Sequence, residues 1–352
     1  MNFNLEALSD KLSKVKVNVK VTALPDFFID HFYIYPSNLN ELIRDLIEVA
    51  SKGGGNIFKG EHYFLRGGCA ANFAAALARL NVNVKLITKT SKFGFEILRM
   101  YAENVDLSHV KIVDDQAITF ILEVGFNDRR VNIMISNPGP IRKFCFEDLD
   151  SHDLNEIVNS DIVAIFTWNA NLCGTELVEK VFNIVKFNGH GKTYLDLGDP
   201  SARINELGDL VGKVLKRDLV DALSLNENEL KCIAKVINLN LNEDLIEIAR
   251  KVSIEIPVRI DFHTSNYSLS ALNGDVTIVP SFKVKVLRST GAGDAWNAGN
   301  VYGWAGKFNF EERLLIANAV AAYYISNKKA IHPSLIDLTN FIKKRKLRLT
   351  PC

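Results

Sequence analysis

The chain is 352 residues long, 47% hydrophobic and 24% charged, with a formal net charge of +1. That composition supports a sizeable core and excludes wholesale disorder. The near-neutral balance gives no global electrostatic case for nucleic acid or an anionic membrane as a partner.

No run reaches the ~20 apolar residues of a membrane span, and the charge-studded stretch from Met1 to Lys20 lacks the apolar segment of a secretion signal. Cys69, Cys145, Cys173, Cys232 and Cys352 are widely spread with no C-x-x-C pair. A cytoplasmic location with free thiols is the expectation. The histidines are scattered and form no zinc motif. The basic run Lys343-Lys344-Arg345-Lys346 reads as a solvated helix end. Gln116 is the sole glutamine, which hints at a hot habitat; abundant asparagine points the other way.

In chain order, Val15, Val17, Val19 and Val21 alternate with polar residues and predict a strand ending at Leu24-Pro25-Asp26. Residues 38–51 read as a helix, which Gly53-Gly54-Gly55 breaks to start an irregular excursion. Gly67-Gly68 opens a helix rich in alanine, and Val84 to Thr88 is a short strand. Ile118 to Ile135 alternates on both sides of Asn127-Asp128, a β-hairpin without a crossover helix. Strands at Ile162–Thr167, Thr193–Leu197 and Ala222–Leu225 then alternate with helices at about 174–187, 205–217 and 240–252. This rhythm predicts a parallel sheet with helices on both faces. Shorter strands at 257–262, 268–272 and 276–279 follow, and helices near 292–305, 310–326 and 335–345 close the chain. The pattern predicts one α/β domain over 1–352. The 53–66 excursion and the hairpin would form a small accessory sheet. Ligands in such folds sit at the carboxyl ends of strands, where Asp26, Asp30, Asp196, Asp199, Asn226 and Glu229 are expected to gather.

The chemistry concentrates in Ser289-Thr290-Gly291-Ala292-Gly293-Asp294. Two glycines bracket one small residue, a carboxylate follows, and the apolar spacing behind them predicts a helix. Free amides at a helix N-terminus make an anion site. An Asp beside it could take a proton from a hydroxyl while the amides hold the phosphate under attack. The alternative is a first-turn Asp that only complements the helix dipole. Gly291, Ala295, Gly299 and Gly303 recur every four residues, and that small-residue stripe would bring the helix close to the sheet.

Together these pieces resemble the ribokinase-like (PfkB) family of sugar and nucleoside kinases over roughly residues 17–330. Arg66-Gly67-Gly68-Cys69-Ala70-Ala71-Asn72 is similar to the family's first signature. Thr290-Gly291-Ala292-Gly293-Asp294 is similar to its second, and Leu225-Asn226-Glu227-Asn228-Glu229 to its N-x-x-E element. The resemblance implies a central, mostly parallel sheet flanked by helices, with a small β-sheet lid formed by about 31–66 and 116–136. It implies an ATP-dependent, Mg2+-requiring transfer to a hydroxyl of a sugar-like acceptor, with a nucleoside as the alternative. Asp294 would be the base, and Gly291, Ala292 and Gly293 the anion hole. Asp30, Gly67, Gly68 and Asn72 would bind the acceptor, with Asp30 preferred over the turn residue Asp26. Asn226 and Glu229 would organise magnesium and phosphates, although the same pair also reads as a helix cap. Thr264 and Asn318 would meet the nucleotide. The lid would exclude water, and its exposed surface would pair with a second subunit as a homodimer.

The chain departs from the family at three places. His263-Thr264-Ser265-Asn266-Tyr267-Ser268 lacks both glycines of the usual nucleotide turn. Arg288-Ser289 replaces the usual Asp-Thr, and the Gly-x-Asp turn is missing around Lys92-Phe93-Gly94. Arg129 and Arg130, at the hairpin turn, would meet an anionic acceptor or solvent. The lost glycines also motivate a catalytically silent, ligand-binding relative. A dinucleotide-dependent oxidoreductase is disfavoured, because no G-x-G-x-x-G follows the first strand, and Gly53–Gly60 lacks the ending of a P-loop.

Overall fold

The computed structural model describes residues 3–288, 290–327 and 329–348. Ser289, which precedes the second signature, and Cys352 lie outside them. Strands β1 (Lys20–Leu24), β2 (Phe28–Asn38), β3 (Glu61–Gly67), β4 (Asn83–Leu86), β5 (Thr88–Thr90), β6 (Val110–Ile112), β7 (Ile118–Phe126) and β8 (Arg129–Asn137) occupy the first part of the chain. They are followed by β9 (Ile162–Ile165), β10 (Lys192–Asp196), β11 (Ala222–Leu225), β12 (Arg259–His263), β13 (Tyr267–Leu272) and β14 (Asp275–Pro280). Helices α1 (Leu5–Lys14), α2 (Leu39–Ser51), α3 (Cys69–Arg79), α4 (Lys92–Tyr101), α5 (Ser151–Val158) and α6 (Gly174–Asn188) alternate with them. The remaining helices are α7 (Ile204–Lys213), α8 (Glu227–Val236), α9 (Leu245–Glu255), α10 (Ala292–Ala305), α11 (Phe310–Ile325) and α12 (Leu335–Lys344).

Eight strands form the main sheet in the order β14-β13-β12-β11-β10-β9-β1-β4. The pairs from β4 through β12 are parallel, and β13 and β14 add an antiparallel edge. Every residue of β9 and β11 is buried, which is why those strands read as unbroken apolar runs. One hydrophobic cluster packs α1, α3, α10, α11 and α12 on the sheet, and a second packs α5 to α9 on it. The α/β architecture expected from the alternating pattern is therefore present, with helices on both faces.

A separate four-stranded sheet has the order β3-β2-β7-β8. The hairpin β7–β8 matches the sequence expectation, but the long strand β2 does not appear in it. Asp30 therefore sits inside a strand of the small sheet, not at a strand end of the main one. Gln116 pins the entry to β7: its Oε1 accepts from Thr90 Oγ1 at 2.8 Å and Ser91 Oγ at 2.7 Å.

Three further expectations are corrected. The strand read from Val15 begins only at Lys20, where β4 and β9 supply partners; Val15, Val17 and Val19 pack on the core without pairing. Cys145 and Cys173 are joined in a disulfide, because the turn at 146–148 lies beside the start of α6; Cys69 and Cys232 are free. The small-residue stripe of α10 faces another helix rather than the sheet. A Cβ on Gly299 would come within 2.7 Å of Ala317 Cα, and one on Gly303 within 3.0 Å of Arg313 Cα, both on or within α11.

Candidate active site

Gly291 ends the loop before α10 with φ +80°, a left-handed conformation that a side chain resists. A Cβ there would also lie 2.9 Å from the Tyr324 hydroxyl. Gly291 is the N-cap, so the first-turn amides of Ala292, Gly293 and Asp294 have no helical acceptor. Ala292 and Gly293 line a cavity of about 510 Å³ together with Asn226, His263, Thr264 and Asn318. Asp294 turns the other way and accepts from Asn72 Nδ2 at 2.8 Å. The same helix start therefore touches both this cavity and the first signature, at the start of α3.

Asp294 is buried, 8% exposed. Burial pushes its pKa up to about 8; the bond from Asn72 opposes the shift, and the charges of Asp196 and Asp26 add to it. Such a carboxyl keeps its proton through neutral pH and frees an accepting oxygen as the pH approaches that value. Asp30 is likewise pushed up by burial to about 7, with Arg66 pulling the other way. Its carboxylate lies so close to β3 that a Cβ on Gly67 would overlap Asp30 Oδ1 at 2.0 Å. Gly67 is therefore glycine because Asp30 occupies the space.

Asp26 has a different task. Its two oxygens accept from Cys69 N at 2.7 Å and Ala70 N at 2.9 Å, so it caps α3 and offsets the dipole there. Arg66 Nε donates to Asn72 Oδ1 at 2.9 Å, which fixes the amide so that Nδ2 faces Asp294.

Asn226 and Glu229 form a capping box on α8: Asn226 Oδ1 accepts from the amides of Asn228 and Glu229, while Glu229 accepts from Asn226 N and Nδ2. The cap reading of this pair therefore holds. Glu229 is nevertheless held well above the ordinary carboxylate range, by burial first and then by Asp196. The carboxylates of Asp196, Glu229 and Asp294 thus sense one another. Among the described residues no group of three His, Cys, Asp or Glu is placed to ligate a metal directly. The donor set suits a hydrated magnesium carried by phosphates better than one caged by protein.

Thr264 holds its own turn, with Oγ1 donating to Tyr267 O at 2.9 Å and accepting from Asn266 N and Tyr267 N at 3.1 Å. Asn318 lines the same cavity, but both its polar groups are occupied: Trp296 Nε1 donates to it at 2.8 Å, and it donates to Pro280 O at 3.1 Å. Arg129 and Arg130 are both exposed, and Arg130 donates to Tyr35 O and Glu123 O within the small sheet. Asn132 on β8 donates to Thr290 Oγ1 at 3.3 Å, so the small sheet reaches the loop before α10.

Several contributors were invisible in the sequence. Asn297, one turn beyond Asp294, donates to Asp196 at 2.7 Å and accepts from Tyr194 Oη at 2.8 Å and Ser224 Oγ at 2.6 Å. Its spacing from Asp294 was the available signal. Thr167 takes φ +57° at the end of β9, and its buried hydroxyl has no partner among the described residues. A β-branched residue held in that conformation marks local strain. Nothing in the pattern around Thr167 foretold it.

The fold is an α/β sheet protein whose glycine-led helix start lies beside a buried carboxylate. The family model for pfkB family carbohydrate kinases matches residues 39–337, and the chain belongs to that family. A comparison with curated proteins finds no match. Among solved structures, ribokinase from Arabidopsis thaliana, complexed with ribose and ATP, matches with TM-score 0.73 at 19% identity, over 93% of this chain and 99% of its own. Ribokinase from Thermotoga maritima matches with TM-score 0.71 at 19% identity, over 94% and 100%. A nucleoside kinase from Methanocaldococcus jannaschii matches with TM-score 0.68 at 18% identity, over 92% and 98%. At these identities the likeness concerns the fold.

Proposed function

We propose that this protein transfers the γ-phosphoryl group of ATP to a hydroxyl of a sugar or sugar-like acceptor. The observation that carries the reading is the 2.8 Å bond between Asn72, on the acceptor signature, and Asp294, at the start of the anion-binding helix. Asp294 takes the acceptor proton as the phosphoryl group moves. The amides of Ala292 and Gly293, with the turn at Gly291, stabilise the charge on the moving group; donors of this kind are worth roughly 3–4 kcal/mol. Asp30, Gly67, Gly68 and Asn72 hold the acceptor. ATP occupies the 510 Å³ cavity, with Thr264 and Asn318 in its walls. Asn226 and Glu229 anchor the water shell of Mg2+, which supplies charge neutralisation on the phosphates. A nucleoside acceptor is the second reading, favoured by the Phe32–Tyr63 stack (centroids 4.6 Å apart) on the same sheet as Asp30.

The chain acts as one unit in which the small sheet serves as a lid, touching Thr290 through Asn132. The lid's other face carries His31, Tyr33, Phe64 and Phe120 in mutual ring contact, and Ile135 on it is 65% exposed. A second copy of the chain would cover that face in a homodimer. Consumption of ATP fits a cytoplasmic setting; among the described residues no helix is long and apolar enough to cross a membrane.

The test is a coupled ADP-release screen with Mg-ATP over sugars, sugar phosphates, polyols and nucleosides. ADP release that depends on a hydroxyl-bearing acceptor is expected, and release unaffected by every acceptor overturns the reading. Gly67→Ala pushes a methyl group into the Asp30 carboxylate. It should raise the acceptor KM by about tenfold or more, an overpacking cost of 1–3 kcal/mol, while the KM for ATP stays near the parent's. Equal rises in both constants would show that Asp30 is not an acceptor ligand.

A further inference from the structure

Behind Asn72 lies a second cavity of about 370 Å³, walled by β3, α3, the end of α4 and the segment after α11. It shares no lining residue with the larger cavity. Arg66, Arg79, Lys329 and His332 stand on its walls, and Glu103 is its one acidic lining residue.

The positive charge there is poorly compensated. Arg66 donates to three neutral acceptors: Asn72 Oδ1 at 2.9 Å, Tyr101 O, and His332 Nε2 at 3.1 Å. Among the described residues it forms no salt bridge, and neither does Lys329. Arg79 meets carboxylates only at long range, Glu103 at 3.8 Å and Asp337 at 4.0 Å. Arg66 hydrogen-bonds only to neutral groups, and only the more distant charges of Asp294 and Asp30 offset it, so an anion bonded to it directly is favoured.

His332 adds an independent sign. It is 3% exposed and stacks on Tyr324 with ring centroids 4.4 Å apart. Arg66 can only donate, so His332 Nε2 accepts and the ring proton sits on Nδ1. That Nδ1 is buried with no hydrogen-bond partner, an uncommon and costly condition. Burial, and then the guanidinia of Arg66, Arg79 and Arg288, hold the ring's pKa well below its ordinary value, so it stays neutral.

We propose that this cavity is a binding site for a phosphate-type oxyanion, held by Arg66, Arg79 and Lys329, with the neutral His332 ring fixing Arg66 from behind. Planar guanidinia match the edges of a phosphate and bind it by paired, charge-assisted bonds. The phosphate is either free in solution or carried on the acceptor, since Arg66 also touches Asn72. Only the second source rests on the kinase reading above. In either case the anion sits one residue behind the Asn72–Asp294 bond and bears on it through Arg66.

The test is calorimetric, so it does not depend on turnover. Sodium phosphate is titrated into the parent and into Arg79→Gln/Lys329→Gln at matched ionic strength, with a non-hydrolysable ATP analogue as a control for folding. Millimolar or tighter binding by the parent is expected, weakened about tenfold or more in the double variant, with the analogue bound equally by both. Arg79→Lys, which keeps the charge but loses the fork, should fall between them. A sugar phosphate that binds more tightly than phosphate, with the same dependence on Arg79, assigns the source to the acceptor; one that fails to compete assigns it to free phosphate. No detectable binding of phosphate, sulfate or sugar phosphate by the parent overturns the proposal, and so does equal affinity in the double variant.

Discussion

Replacement of Asp294 by asparagine is expected to lower kcat by about 10²–10⁴-fold while changing acceptor affinity little. The amide keeps the shape of the side chain and its contact with Asn72, but it cannot take a proton. In the parent, burial and the neighbouring Asp196 and Asp26 hold this carboxyl near 8, so kcat/KM should climb with pH until about that value. The same shift has a stability consequence of defined sign. In the unfolded chain the group deprotonates near its ordinary value of 3.8, and in the folded chain only near 8. Between those values the folded state retains the extra proton, so parent stability falls as pH rises through the window. The asparagine variant lacks that burden. Its melting temperature should exceed the parent's by about 2–4 °C at pH ~8.5 and equal it at pH ~3, where both side chains are neutral. Parental kcat in the variant, or a stability gap independent of pH, would contradict the assignment.

A second large effect is expected at Asp261, far from the reacting groups. Asp261 on β12 is fully buried. It accepts from Arg259 Nε at 3.0 Å, Arg313 Nη1 at 2.9 Å, Asn300 Nδ2 at 2.9 Å and Ser270 Oγ at 2.7 Å, and pairs in charge with both guanidinia. Burial pushes its pKa up, but the two guanidinia outweigh this and hold it well below the ordinary carboxylate range. Asp261→Asn leaves Arg259 and Arg313 buried without a counter-charge. It should cost about 3–5 kcal/mol in urea unfolding at neutral pH. Because the folded pKa is depressed, the stabilisation is present above about pH 4 and fades as pH falls, so the gap between parent and variant should narrow in acid. Asn300 lies on α10, which carries Asp294, and loosening this anchor should also reduce turnover. A loss below about 1 kcal/mol would show that water or relaxation compensates the arginines.

The main sheet was legible because its strands carry unbroken apolar runs between amphipathic helices, and the second signature because its glycines bracket a helix start. The strand β2 was not legible. Its outward residues His31 and Tyr33 and its inward residues Asp30 and Phe32 blur the alternation of apolar and polar, and Pro36 interrupts it; pairing with β3 and β7 decides its conformation. The cap on α8 was foreseen as one of two readings of Asn226 and Glu229. The Cys145–Cys173 bond was missed because only the packing of the 146–148 turn against α6 brings the two sulfurs together. Arg66, Tyr324 and His332 lie up to 266 positions apart along the chain, so no local pattern could announce the cationic cavity. At Thr264 the sequence showed the missing glycines but not that the threonine hydroxyl closes the turn through Asn266 and Tyr267.

The most direct measurement is a crystal structure with an acceptor found by the ADP-release screen and a non-hydrolysable ATP analogue bound together. An acceptor hydroxyl is expected within about 2.6–3.2 Å of an Asp294 oxygen, with Asp30 and Asn72 on the same molecule and the terminal phosphate against the amides of Ala292 and Gly293. An acceptor seated away from Asp294, or an analogue whose terminal phosphate lies outside the start of α10, would contradict the proposed transfer.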